Sequence, residues 1–127
     1  MKAETMWSDY CSENGIDINT PYEAWSFGDA PDKLAMLVLG GKKTATASAY
    51  DLYELDDSEP LPAAGDYSVI LDSRDNAVCI IKTTRITVVP FADVTEEHAA
   101  KEGEGDLSLR YWREVHEDFF TKEFVGY

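Results

Sequence analysis

Cysteine, histidine and basic residues are all scarce in this chain, and each scarcity removes a class of function. Cys11 and Cys79 are the only cysteines, too few for a disulfide framework or for a Cys-based zinc site on their own. His98 and His116 are the only histidines and are not four residues apart, so the helical zinc pair is missing too. No metal or other cofactor is expected. No serine stands in a G-x-S-x-G elbow, which takes away the sequence support for Ser-His-Asp catalysis. Lys and Arg number 11 against 25 Asp and Glu, a formal charge of −14. Phosphate affinity comes largely from cations that displace counterions, so a life on long DNA or RNA is disfavoured. A small nucleoside or a short RNA reaching a locally basic pocket is not. Long apolar runs are absent as well. The longest, Leu34 to Leu39, is six residues, against the ~20 that span a bilayer. The opening MKAETMWSDY carries no apolar leader, and a cytoplasmic protein with no membrane contact is the expectation. Nothing in the sequence bears on oligomeric state.

What the chain does have is core material. Hydrophobic residues make up 44% of its 127 residues and aromatics 12%, enough for one domain over residues 1–127 that buries roughly two thirds of its unfolded surface. Lys2 to Asn14 reads as a helix, with Met6/Tyr10 and Trp7/Cys11 at i, i+4 and Asn14-Gly15 as its stop. Pro21 to Phe27 reads as extended. A second helix is expected from near Asp29, with Pro31 in its first turn, Leu34, Leu37 and Val38 packing, and Gly40-Gly41 ending it.

The pattern then turns to β. Thr44 to Tyr53 suits a half-buried strand, and Asp56 to Gly65 a loop. Tyr67 to Leu71 and Val78 to Val89 read as strands joined by the turn Asp72-Ser73-Arg74-Asp75-Asn76. Asp93 with Glu96 predicts the N-terminus of a helix running to Glu102 and stopped by Gly103. A last helix carries Leu109, Trp112, Val115/His116 and Phe119 on one face. Strands in the middle with helices on both sides predict an α+β domain, and the hairpin predicts antiparallel pairing.

Two segments have the residue types for chemistry. Gly40-Gly41-Lys42-Lys43-Thr44-Ala45-Thr46 lies where a helix gives way to a strand. It is no P-loop, since Met36 stands where the first glycine is needed. Strand alternation puts Thr44 and Thr46 on one face with Lys43 at the entrance. The glycines leave room for a ligand near Gly41, Lys42 and Thr44. A lysine and a hydroxyl together bind an anion or activate an oxygen nucleophile; the plainer reading is a helix stop with solvated lysines. Glu102-Gly103-Glu104-Gly105-Asp106 lets carboxylates converge, for acid/base work or as a flexible acidic link. His98, four residues before Glu102, can orient or shield that carboxylate. His116 reads as a core or boundary histidine. Trp25 and Trp112 either pack or line a base-stacking pocket.

Taken in order, these segments resemble the ASCH (activating-signal-cointegrator homology) family. The resemblance rests on Trp25-Ser26-Phe27-Gly28; on Gly41, Lys43 and Thr46 as a G-x-K-x-x-T signature; on the hairpin; on Pro90-Phe91-Ala92-Asp93-Val94; and on Glu102 to Asp106 followed by Trp112-Arg113 and His116. It spans about residues 25–120. It implies a PUA-like small antiparallel β-barrel flanked by helices, and a role toward RNA or nucleosides. Relatives include amidohydrolases that deacetylate N4-acetylcytidine and others described as ribonucleases. The amidohydrolase triad would fall on Lys43, Thr46 and Glu102, with Gly41, Lys42, Thr44, Trp25 and Trp112 toward substrate. The alternatives are an RNA-directed ribonuclease and an RNA- or nucleotide-binding module without turnover. Larger members continue with another strand where this chain ends at Phe124-Val125-Gly126-Tyr127, so either the chain is shortened there or the barrel closes differently.

Two chemical arrangements are compatible with that triad. In one, Lys43 takes the proton of Thr46, whose oxygen attacks the acyl carbon. In the other, Glu102 is the base toward water or Thr46, and charged Lys43 holds the oxyanion.

Overall fold

In the computed structural model the described residues are 1–28, 30–48, 61–105 and 107–125, the last four of them as backbone only. They fall into two units, each built from two stretches of chain: 1–40 with 62–86, and 41–61 with 87–127.

The first unit holds a sheet and two helices. Helix α1 (Ala3–Asn14) ends where Gly15 takes φ +67° and returns its N–H to the Cys11 carbonyl. That left-handed stop is the one Asn14-Gly15 predicts. Trp7 and Cys11 are the buried positions of α1 and form a core with Val69. Trp7 stacks on Tyr22 at 4.7 Å and meets Tyr67 edge-on at 5.2 Å. Helix α2 (Pro31–Leu39) starts with Pro31 and buries Leu34 and Ala35, while Asp29 lies outside the described residues.

Strands β1 (Tyr22–Ser26), β2 (Tyr67–Leu71) and β3 (Ala77–Lys82) make one sheet in the order β1-β2-β3. The central strand buries Ser68, Val69 and Ile70, the continuous burial that a strand covered on both faces shows. β2 and β3 pair antiparallel, as the hairpin reading has it. Their turn is fastened by the Asp72 carboxylate, which accepts the Arg74 and Asn76 N–H groups at 2.9 Å each. Those bonds hold the Asp72 carboxyl below its ordinary range. Asp32 of α2 accepts the backbone N–H and hydroxyl of Ser73 at 2.7 and 2.9 Å.

Three expectations need correcting. β1 pairs with β2 in parallel, Tyr22 opposite Tyr67; the chain between them includes α2 and permits a crossover that a hairpin does not. The described strands form a mixed sheet of three that does not close on itself. The strand predicted to Val89 stops at Lys82. Ile86, Val88 and Val89 are exposed, showing that β-branched content alone does not secure a ladder partner. The strand predicted over Thr44 to Tyr53 is not formed across 44–48, and 49–53 lie outside the described residues, as does 56–60 of the predicted loop.

Among the described residues, the regular elements of the second unit are helical. A short 3₁₀ turn (Phe91–Asp93) precedes helix α3 (Glu96–Glu102), and helix α4 (Leu109–Val125) follows. The cap of α3 is Thr95 rather than Asp93: its hydroxyl accepts the His98 N–H at 3.2 Å, because the residues around Asp93 are already taken up in the 3₁₀ turn. Among the described residues no helix is long and apolar enough to cross a membrane.

Candidate active site

The site grows from the C-terminal end of α3. Gly103 adopts φ +72°, and a Cβ there would land on the Lys42 carbonyl. Only glycine serves both the left-handed stop and that close approach. The chain at residues 43–45 is docked on the same helix end by its main chain. The N–H groups of Thr44 and Ala45 both reach the Lys101 carbonyl, at 2.7 and 3.1 Å. Such carbonyls have no partner within the helix and need one from outside.

This docking brings together side chains that are 59 positions apart. Lys43 Nζ stands 3.1 Å from Glu102 Oε1, with side-chain exposures of only 2% and 1%. Glu104 Oε2 is 3.5 Å from the same ammonium and the Glu102 carbonyl a further 3.5 Å contact. The other Glu102 oxygen, Oε2, lies 2.7 Å from His98 Nε2 and accepts the indole N–H of Trp112. His116 completes the ring, with Nε2 3.4 Å from Glu102 Oε1 and Nδ1 2.9 Å from the Trp112 carbonyl. Its imidazole stacks on the Trp112 indole at 4.3 Å and 17°. The spacing of α3 places His98 and Glu102 on one face, and that of α4 does the same for Trp112 and His116.

Electrostatics follow from this geometry. Burial would raise the Glu102 pKa, but hydrogen bonds from His116 and His98, the Lys43 charge and the Trp112 N–H outweigh it. The carboxyl is held well below its ordinary 4.5. For His116, burial acts to lower the pKa, and the hydrogen bond and charge of Glu102, the Trp112 carbonyl and Glu104 together raise it above 6.5. Glu102, Glu104 and His116 offer donor atoms within 4.8 Å of one another, a spacing that suits a cation. The Lys43 ammonium already bridges both carboxylates, so the group is better read as an ion-pair cluster than as a metal centre.

A pH dependence is built in. Glu102, with its pKa depressed on folding, contributes stability above about 4.5 that is lost as pH falls toward its folded value. His116, with its pKa raised, contributes fully below about 6.5 and loses that contribution as pH rises through its folded value. The stability difference between wild type and E102Q is therefore expected to peak between about pH 4.5 and 6.5 and to shrink on both sides. Urea unfolding across that range checks it; a flat difference overturns it.

Of the residues singled out from sequence, Lys43 and Glu102 meet. Thr46 differs from them in exposure: Lys43 is buried whereas Thr44 and Thr46 are exposed. No hydrogen bond among the described residues links the Thr46 hydroxyl to either partner. Thr44 bonds the Lys101 carbonyl, and Gly41 and Lys42 are exposed. Trp112 is 3% exposed and holds Glu102, with its ring against His116. Trp25, on β1 in the other unit, is half-buried and edge-on to Phe27. The sequence reading undervalued His116 and Glu104. The available signal was Trp112-x-x-x-His116, a donor pair on a helix face otherwise apolar.

A family model described as ASCH domain matches residues 23–127. The crystal structure of an ASCH domain from Lactobacillus crispatus is similar to this chain with a TM-score of 0.86 and 31% identity, over 94% of this chain and 79% of that one. Protein EF3133 from Enterococcus faecalis is similar with a TM-score of 0.84 and 35% identity, over 98% of this chain and 76% of that one. No curated protein matches.

Proposed function

The chain belongs to the ASCH domain family, a PUA-like fold of RNA-binding type, and from that premise we propose that it is a hydrolase of the acyl-amide of a modified nucleoside such as N4-acetylcytidine. The observation that carries this reading is the buried Lys43–Glu102 pair with two imidazoles on the same carboxylate. Burying a charge pair is expensive, and replacement by apolar residues is often neutral or stabilising. A cluster of this kind is better suited to chemistry than to support. A binding surface for RNA would instead favour exposed cations, and Lys43 is 4% exposed in a chain of charge −14. Both cysteines are free thiols, which fits a reducing, cytoplasmic setting.

The roles within the triad are unequal in this reading. The Glu102 carboxyl is held well below its ordinary range and the Lys43 ammonium position is closed in by Glu102 and Glu104, so neither arrangement with one of them as base is favoured. Thr46 is an exposed residue, open to approach by a substrate. The attacking oxygen comes from water or from Thr46.

The test is to incubate the purified chain with N4-acetylcytidine and, separately, with unstructured RNA, following acetate release and strand cleavage. Deacylation without RNA cleavage is expected. T46A is expected to keep the wild-type melting temperature, since the residue is exposed, and to lower the rate by about 100-fold or more if its hydroxyl attacks. An unchanged rate assigns the attack to water. Salt-sensitive RNA retention with no turnover would sink the hydrolase reading in favour of a binding module.

A further inference from the structure

A hydrolytic site needs a group that takes a proton from the attacking oxygen and returns one to the leaving nitrogen. The buried pair is badly placed for that. Lys43 Nζ is ringed by Glu102 Oε1, Glu104 Oε2 and the Glu102 carbonyl. Both Glu102 oxygens are engaged by donors, and its side chain is 1% exposed. His116 is equally closed in: Nδ1 faces a backbone carbonyl, Nε2 faces Glu102, and the ring is stacked.

His98 differs. Its Nε2 stands 2.7 Å from Glu102 Oε2, and an ionised carboxylate only accepts, so Nε2 must carry the hydrogen. In the neutral ring that leaves the lone pair on Nδ1, for which no described residue provides a hydrogen bond. The His98 side chain is 32% exposed, the most open member of the cluster. Its ring is held edge-on to Trp112 at 5.8 Å and 90°.

We infer that His98 is the general base of this site: Nδ1 takes the proton of the attacking water, while buried Glu102 fixes the ring's tautomer and orientation through Nε2–H. This deepens the hydrolytic reading and rests on it. The water oxygen bonds to the acyl carbon as its proton passes to Nδ1, and the carbonyl electron pair moves onto oxygen. When the carbonyl re-forms, the C–N bond breaks. Its pair goes to the amine nitrogen, which takes the proton from Nδ1. A carboxylic acid and a free amine leave, and the imidazole ends as it began. Glu102 stays anionic throughout and is a positioning residue, the part a buried acid plays beside a catalytic imidazole in serine hydrolases. The charged groups around His98 are Glu102 directly, Lys43 and His116 through that carboxylate, Glu104 through Lys43, and the exposed Glu97–Lys101 pair on the same helix.

The experiment compares wild type with H98Q, whose amide keeps an N–H for Glu102 but has no basic nitrogen. The expected result is a fall in kcat of about 10²- to 10⁴-fold on N4-acetylcytidine, loss of the acid limb of the pH–rate profile, and partial recovery of H98A by imidazole in the buffer. Nitrogen NMR shifts of wild-type His98 are expected to report the Nε2–H tautomer, a measurement that stands even if H98Q folds poorly. An Nδ1–H tautomer overturns the inference. Wild-type turnover with an undiminished H98Q overturns it too, and leaves the hydrolase reading intact. A wild type inert toward N4-acetylcytidine fells the hydrolase reading, and the role of His98 with it.

Discussion

Glu102→Ala is expected to destabilise the protein by about 3–5 kcal/mol, the range for removing one partner of a buried charge pair, and to abolish deacylation. The size follows from what the carboxylate holds. Its removal takes the nearest carboxylate from the Lys43 ammonium, which is at 2% side-chain exposure, and leaves the longer Glu104 contact in place. It also strips the acceptor from the Trp112 indole and from two imidazoles, and an orphaned buried donor costs about 1–3 kcal/mol. E102Q keeps an acceptor but no charge, and is expected to fall between wild type and alanine. Urea unfolding near pH 6 measures the series. A cost under about 1 kcal/mol for the alanine variant would mean that the cluster carries little energy, contrary to the usual cost of an uncompensated buried charge.

The second large effect is in the coupling. K43M alone leaves Glu102 and Glu104 facing each other's charge without the ammonium between them, and is also expected to cost about 3–5 kcal/mol. Combined with E102L, the same change should cost far less than the two single effects added, because no uncompensated charge then remains in the pair. A coupling of about 2–3 kcal/mol is expected from the double-mutant cycle. Full recovery is not, since Trp112, His98 and His116 still lack their acceptor. Deacylation should be absent in all three variants, separating what the pair does for folding from what it does for chemistry. Additive costs would show that the two side chains act independently despite their 3.1 Å separation.

How far these features can be seen in the sequence depends on the distance over which they are encoded. Local signals were readable. Gly15 and Gly103 stop their helices as their positions imply, and the Asp72–Asn76 turn closes a hairpin. Lys43 and Glu102 stand out as candidate site residues through the resemblance. That the two meet is likewise implied by the resemblance alone; composition and spacing do not show it, since it depends on the Lys101 carbonyl receiving the backbone of Thr44 and Ala45, and main-chain docking leaves no mark on side-chain type. Parallel pairing of β1 with β2 was likewise invisible, because strand direction is a property of the crossover and not of the strand. Thr44 and Thr46 are both exposed while Lys43 is buried, the alternation that a period-two reading of the segment gives. His116 was masked by its apolar neighbours on α4.

The 59-residue separation of Lys43 from Glu102 has a consequence in time. At a synthesis rate of about 5–20 residues per second, the lysine is added to the chain roughly 3–12 s before its carboxylate is. Throughout that interval Glu102 is not there to pair with it. Its dehydration must await the arrival of α3, so the unit's interior is sealed late in biosynthesis rather than nucleated early.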